Sequence, residues 1–195
     1  MSDFYLWFST GMEHIADWQG YDHILFLVAL SAVYNFKDWK KLLILVTAFT
    51  VGHSITLALS VLDIVRIPSP IIEFLIPMTI VATCIYNLFN LNLKEHKGFQ
   101  VNYFMALVFG FVHGLGFSYL LKSLLGKEES IVYPLFAFNL GLETGQVLIL
   151  AGVLIISLIL SAFTKVKQRD QKMFLSSAVF GIALLMALER FFDLF

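Results

Sequence analysis

Histidine and carboxylate side chains interrupt the apolar stretches of this chain, or stand at their ends, at six positions. These are Asp22, His23, His53, Glu73, His113 and Glu143. An ionisable side chain in a membrane span costs on the order of 2.5–3.5 kcal/mol near the middle of the bilayer, so such residues usually have a function. Imidazole nitrogens and carboxylate oxygens together are typical ligands of divalent transition metals. The pattern therefore predicts a metal site.

The composition indicates the kind of fold that must position these groups. Hydrophobic residues make up 59% of the chain and charged residues 14%, whereas soluble domains have about 25% charged residues. The mean hydropathy is +0.84. We therefore predict a single all-α transmembrane domain over residues 1–195, a polytopic membrane helix bundle. Its six apolar segments are approximately 21–36, 42–62, 69–92, 101–124, 131–163 and 173–194.

Two segments depart from a simple span. All but the first reach the roughly 20 residues that cross a hydrocarbon core, and the fifth is long enough that 131–139, with Pro134 near its start, is expected to be broken or interfacial. Residues 1–19 are predicted to form an amphipathic interfacial helix on the outer surface, because Trp7, Gly11, Ile15 and Trp18 recur at helical spacing. This helix is either only an anchor or the carrier of His14 over the mouth of the bundle.

The Lys and Arg residues predict the orientation. Nine lie on one side of the six predicted segments, at 37, 40, 41, 94, 97, 165, 167, 169 and 172, and four on the other, at 66, 122, 127 and 190. Cytoplasmic loops carry the excess of positive charge, so both termini are expected outside the cytoplasm.

The same orientation places the ionisable groups of the apolar segments in one half of the membrane. His53 and His113 lie at or beyond the midpoint of segments that run outward, and Glu73 and Glu143 lie near the outer entrances of segments that run inward. The inner half offers only neutral polar groups. A site built in this way opens outward.

Neighbouring polar residues are expected to support the site. Thr50 and Ser54 share a helix face with His53, and Asn139 and Gln146 share one with Glu143. Glu73 is a further supporting candidate.

Asp22 and His23 are neighbours in the chain and would face about 100° apart on a helix. Both can be ligands only if a helix starts there. Otherwise one orients the other or bonds water. Which of them contacts the ion stays open.

Other features narrow the chemistry. Cys84 is the only cysteine, so the sequence provides no thiolate cluster, and any metal is expected to be zinc, nickel, cobalt, manganese or iron held by nitrogen and oxygen. His96, between Glu95 and Lys97, is expected at the surface. We see no basic patch for nucleic acid. The expected partners are the lipid bilayer and a divalent metal ion, and the oligomeric state stays open.

Five motifs, in order along the chain, resemble those of the HupE/UreJ family of small bacterial membrane proteins. They are GxxH (11–14), GxDHILFL (20–27), TAFTVGHSITLAL (47–59), FGFVHGLGF (109–117) and FNLGLETGQ (138–146). Members are associated with hydrogenase and urease gene sets and are regarded as nickel or cobalt permeases. The resemblance implies the bacterial cytoplasmic (inner) membrane as location. It also implies that the family's polar positions fall on His14, Asp22, His23, His53, His113 and Glu143.

Three functions remain open. The first is a metal permease with an outward-facing site. The second is an intramembrane zinc-dependent hydrolase that uses the same cluster, with Glu143 as general base. The third is a non-catalytic accessory or scaffold protein, whose polar core fixes helix register. We rank them in this order, so an enzyme is not the leading interpretation.

Overall fold

The computed structural model describes residues 3–18, 20–92, 95–125, 131–164 and 166–194, with the backbone alone for 95–97, 119, 120 and 125. Over these residues the chain is helical, which confirms the predicted all-α membrane bundle. The helices are α1 (Asp3–Ala16), α2 (Asp22–Ser31), a short 3₁₀ helix (Phe36–Asp38), α3 (Trp39–Val61), α4 (Ser69–Phe89), α5 (Glu95–Leu125), α6 (Val132–Thr164) and α7 (Gln168–Phe192).

Five helical stretches are long and apolar enough to cross a bilayer: Phe36–Val61, Ser69–Phe89, Gly98–Ser118, Val132–Thr164 and Gln168–Phe192. They correspond to the second to sixth predicted segments. The first predicted segment contains α2, whose ten residues extend only about 15 Å. The expected break at 131–139 is not found, since α6 is continuous from Val132. Pro134 falls in the first turn of α6, where the helix does not need its missing N–H.

The helices α1 and α2 follow α6 in the same direction, one after the other. Along α1, Phe8 packs against Gly141 of α6 and Ile15 against Gly145, so that later residues meet later residues. Further along, Ser31 of α2 lies beside a cavity that it shares with Leu154 and Ser157 of α6. The helices α1 and α2 therefore form one helical path along α6, interrupted between Ala16 and Asp22.

The packing of α1 on α6 changes the interpretation of α1 as a helix on the membrane surface. The apolar face of α1, with Trp7, Gly11 and Ile15, is buried. Trp18 is exposed. The helix is amphipathic as predicted, but its apolar face packs on α6, so Trp7 is not available as a membrane anchor and Trp18 is.

Helices α3 and α5 form the most extensive pair, and glycine permits their close approach. A Cβ atom on Gly52 would lie 2.6 Å from the carbonyl oxygen of Leu107, and one on Gly110 would overlap that of Phe49. The two helices run parallel, because Phe49 meets Gly110 and, further along, the Ser60 hydroxyl donates to the Ser118 hydroxyl at 2.7 Å. Small residues at such a contact are typical of membrane helix pairs.

The two ends of the bundle carry different polar contacts. At the end where α3 begins, beside Lys37, Lys40 and Lys41, the Asn87 amide donates to the carbonyl oxygen of Ala29 at 2.8 Å. We call the end of the bundle that carries these lysines the lysine-rich end. At the opposite end, an ion pair at 2.9 Å joins Arg190 of α7 to Glu73 of α4.

Candidate metal site

Three histidines from three helices meet in the interior of the bundle. His14 stands near the end of α1, His23 is the second residue of α2, and His113 lies in α5. Each offers one ring nitrogen, and these nitrogens lie within 4.8 Å of one another. The ring centroids are 4.6 Å apart for His14 and His23 and 3.8 Å apart for His23 and His113. We call these three residues the histidine cluster.

The interruption between α1 and α2 places two of the three histidines. His14 comes two residues before the end of α1, and His23 follows the start of α2 by one residue. A continuous helix would put these residues nine positions apart, about 13 Å along the axis. The break therefore allows side chains distant along one helical path to approach each other.

Asp22 orients His23. The Asp22 Oδ1 accepts a hydrogen bond from the His23 backbone N–H at 2.7 Å and lies 2.9 Å from the His23 Nδ1. The same oxygen is 4.0 Å from His113 Nε2. A carboxylate on one ring nitrogen leaves the other nitrogen available to an ion. Asp22 also begins α2, which is the condition under which both neighbours can take part.

Several buried histidine ring nitrogens at the site have no hydrogen-bond partner among the described residues. His14 Nε2, His23 Nε2 and His113 Nδ1 are buried without a hydrogen-bond partner among the described residues. Both ring nitrogens of His53 are in the same state. A buried polar group without a partner typically costs about 1–3 kcal/mol. Several such atoms, all of the type that binds metals, fit a divalent ion as the missing partner.

Burial favours the metal-binding form of His14. Burial of His14 lowers its pKa well below the ordinary value, and the neighbouring imidazoles of His23, His53 and His113 lower that pKa further, while the Asp22 carboxylate raises it. His14 lies in α1, outside the five long apolar helices. Neutral imidazole is the metal-binding form, so the pKa of His14 favours ion binding at neutral pH.

His53 stands beside the cluster without joining its tightest group. It is fully buried in α3, with its ring centroid 6.0 Å from that of His14 and 6.3 Å from that of His113. The parallel packing of α3 on α5 brings it to the level of His113. His53 thus adjoins the histidine cluster at the same depth in the bundle.

The predicted ligand Glu143 does not belong to the three-histidine group. It is half-buried on α6, where its Oε1 accepts a hydrogen bond from the Thr47 hydroxyl at 2.6 Å. Thr47 is exposed, so this pair lies in the groove between α3 and α6. Next to it, the Thr50 hydroxyl donates to the Gln146 Oε1 at 3.1 Å in the interior.

The remaining supporting candidates have separate roles. Glu73 forms the ion pair with Arg190 at the end of the bundle. The Ser54 hydroxyl donates to the Thr50 carbonyl within its own helix at 2.6 Å. The Asn139 Oδ1 is buried without a hydrogen-bond partner among the described residues. His96, predicted to be at the surface, lies outside the described side chains, as do Lys94, Lys97, Lys127 and Lys165.

Aromatic rings enclose the cluster on two sides. Towards the lysine-rich end lies an inner aromatic layer of Phe26, Phe49 and Phe109, all at most 1% exposed. Towards the opposite end lies an outer aromatic layer of Phe117 and Phe138, whose rings stack at 5.0 Å. The His14 ring is 3.9 Å from that of Phe117. Aromatic rings therefore cover the cluster towards both ends of the bundle, while the Asp22 side chain beside it remains 19% exposed.

The inner aromatic layer could have been predicted from the sequence, although the spacing of the polar residues alone does not indicate it. Phe49 precedes His53 by four residues, Phe109 precedes His113 by four, and Phe26 follows His23 by three. Each Phe is thus one helical turn from a histidine on the same face. Because the segment with Phe26 runs inward and the other two run outward, all three rings fall on the same side of the cluster.

Comparison with known proteins gives one match. The profile of the family described as HupE/UreJ protein matches residues 1–191, nearly the full length of the chain. No curated protein matches the sequence, and no solved structure does.

Proposed function

The chain belongs to the HupE/UreJ family, and from this premise we propose that it is a permease for a divalent transition metal, nickel or cobalt, with the histidine cluster as its ion site. Five long apolar helices make it a membrane protein. The observation that carries the proposal is the convergence of His14, His23 and His113, whose ligand nitrogens lie within 4.8 Å of one another.

The donor set suits the proposed ions. Imidazole nitrogen binds nickel, cobalt and zinc, whereas magnesium and calcium prefer all-oxygen sites. In this proposal, His14, His23 and His113 hold the ion, and Asp22 fixes the ring of His23 and adds negative charge. His53 supplies a fourth nitrogen after a small rotation. The protein thereby replaces the hydration shell of the ion with nitrogen donors.

Entry is proposed at the interruption between α1 and α2. Asp22 is partly exposed and Gly20 lies beside it in the connecting segment, so a hydrated cation can meet a carboxylate before it meets the buried imidazoles. The lysine-rich end is the cytoplasmic end under the positive-inside rule. The ion would therefore enter from outside and leave towards the cytoplasm.

The zinc-hydrolase alternative has less support from the geometry. Three histidines with an open position are typical of catalytic zinc. A hydrolase also needs a base near the metal-bound water, and Glu143, the residue predicted for that role, hydrogen-bonds Thr47 instead. Because the three-histidine set remains compatible with zinc, the identity of the bound metal distinguishes the two functions.

The first test measures bound metal and its movement on the same preparations. We expect wild-type protein in detergent to retain about one nickel or cobalt ion per chain after dialysis, because several ligands converge on one point. His113→Ala should lose the ion, since it removes one of three ligands. His96→Ala, at the one histidine that is not proposed as a ligand, is the matched control and should retain it. Elemental mass spectrometry gives the metal content.

Reconstituted vesicles then test transport. Vesicles with wild-type protein should accumulate external nickel or cobalt, reported by a metal-sensitive dye inside, and those with His113→Ala should not. A wild-type protein that binds neither ion yet unfolds at a normal temperature contradicts the metal site. Stoichiometric zinc without ion uptake contradicts the permease and favours the hydrolase.

A further inference from the structure

The proposed permease needs a barrier between its ion site and the cytoplasm, and the structure offers one group of residues at that place. The inner aromatic layer lies one helical turn from the histidines. The ring centroid of Phe109 is 5.1 Å from that of His113, and Phe49 is 5.7 Å from His53. An ion held by the cluster therefore has aromatic rings as its next neighbours on the cytoplasmic side.

The three rings of this layer pack against one another. Phe26 and Phe109 stack at 3.8 Å with their planes 8° apart, and Phe49 lies 5.5 Å from Phe109 and 6.2 Å from Phe26. They come from three different helices, α2, α3 and α5. Because each ring comes from a different helix, a shift of any one of these helices would separate the rings of the inner aromatic layer.

Polar groups reappear beyond this layer. On α5, Asn102 lies seven residues from Phe109 on the same face, and its amide donates to the Tyr34 hydroxyl at 2.8 Å. The Asn102 Oδ1 and the Asn87 Oδ1 are both buried and have no hydrogen-bond partner among the described residues. Carbonyl-type oxygens of this kind accept a cation that has left the histidines.

The order along this route is thus imidazole, aromatic rings, then amide oxygen. We propose, on the basis of the permease function above, that Phe26, Phe49 and Phe109 form the permeation barrier of the protein, and that Asn87 and Asn102 receive the ion on its inner side. Apolar constrictions close channels and transporters because an ion cannot keep its hydration there.

The barrier predicts a specific change in transport. Phe109→Ala removes the ring that contacts both other members, so nickel uptake into vesicles should rise several-fold over wild type, while the metal content stays at the wild-type value. Ile80→Ala is the matched control, because Ile80 is also fully buried but lies on α4, which supplies none of the three rings. It should lower stability without raising uptake.

A second variant guards against loss of folding. Phe109→Leu keeps most of the apolar volume and should raise uptake less than Phe109→Ala. Asn102→Leu should retain metal at the histidine cluster and slow uptake, since the receiving oxygen is lost. Size-exclusion chromatography and thermal unfolding identify the variants that fold. If Phe109→Ala does not fold, the uptake rate of Phe109→Leu relative to wild type tests the barrier instead.

The outcomes separate the two proposals. If wild-type protein transports nickel and the folded Phe109 variant transports it at the same or a lower rate, the barrier proposal is overturned and the permease stands. If wild-type protein binds metal and neither it nor the Phe109 variant moves any, the permease itself is overturned. Faster uptake by the Phe109 variant, with unchanged uptake by the Ile80 control, supports the barrier.

Discussion

The contact between Asp22 and His23 determines which imidazole nitrogen faces the centre of the site. Asp22 Oδ1 occupies the Nδ1 side of the ring at 2.9 Å and accepts the His23 backbone N–H as well. His23 Nε2 is left without a hydrogen-bond partner among the described residues. Outer-shell carboxylates of this type fix ring orientation and raise the basicity of the ligand.

Asp22→Asn should therefore weaken metal binding without removing a ligand nitrogen. We expect the affinity for nickel to fall by about 10- to 100-fold, the usual effect of losing such a partner. Competition with a coloured chelator measures the affinity. Asp170→Asn, on α7 near the lysine-rich end, is the control and should bind like wild type. Equal affinities for all three proteins would mean that Asp22 does not orient a ligand.

The residue types predicted a metal site, but they could not predict which side chains reach it. His14, His23 and His113 meet as proposed, whereas Glu143 lies with Thr47. Phe138 faces the histidines, and Glu143, five residues later, points about 140° away from it at 100° per residue. Sequence spacing gives the depth of a side chain in a helix, and the rotation of the helix is set only by its neighbours.

At the scale of helices, close packing of α1 on α6 carries His14 into the site. Gly11 and Gly141 occupy this contact, and a Cβ atom on Gly11 would overlap the carbonyl oxygen of Phe138. Backbone cannot move aside as a flexible side chain can. The position of His14, three residues after Gly11, therefore depends on the absence of a side chain at Gly11.

Gly11→Ala should lower both stability and metal affinity, because α1 must shift from α6 and take His14 with it. Overpacking of this kind typically costs about 1–3 kcal/mol. Gly152→Ala is a matched control on α6, since a Cβ atom there meets nothing within 4 Å. Thermal unfolding with and without nickel measures both effects. If the two variants unfold at the same temperature, the packing of α1 on α6 does not hold His14.

The helices themselves were largely predictable, whereas the surface on which α1 packs was not. Five long apolar runs gave five long helices, because a lipid environment leaves a backbone few alternatives. The amphipathic pattern of residues 1–19 correctly indicated a helix, but the same apolar stripe fits a membrane surface or another helix. Glycines at 11 and 141 favour the second, and only the structure shows that each of them faces the backbone of the other helix.

At the scale of the whole molecule, the helix directions place both chain ends at one end of the bundle. Phe4, near the start of α1, lies 6.4 Å from Tyr133 at the start of α6. Arg190, near the end of α7, pairs with Glu73 near the start of α4. The described basic residues at 37, 40, 41, 167, 169 and 172 lie at the other end. The start of α1 and the end of α7 thus share one end of the bundle, and the distribution of Lys and Arg predicts that this end is the outer one.

Labelling of single cysteines tests this orientation. With Cys84, which is buried, replaced by Ser, Asp193→Cys at the end of α7 should react with a membrane-impermeant maleimide in intact spheroplasts. Thr164→Cys, at the lysine-rich end of α6, should react only after the membrane is opened. The physical reason is the retention of Lys and Arg loops in the cytoplasm. The reverse labelling pattern would mean that both termini face the cytoplasm. The histidine cluster would then load its ion from the cytoplasmic side, and the protein would serve export.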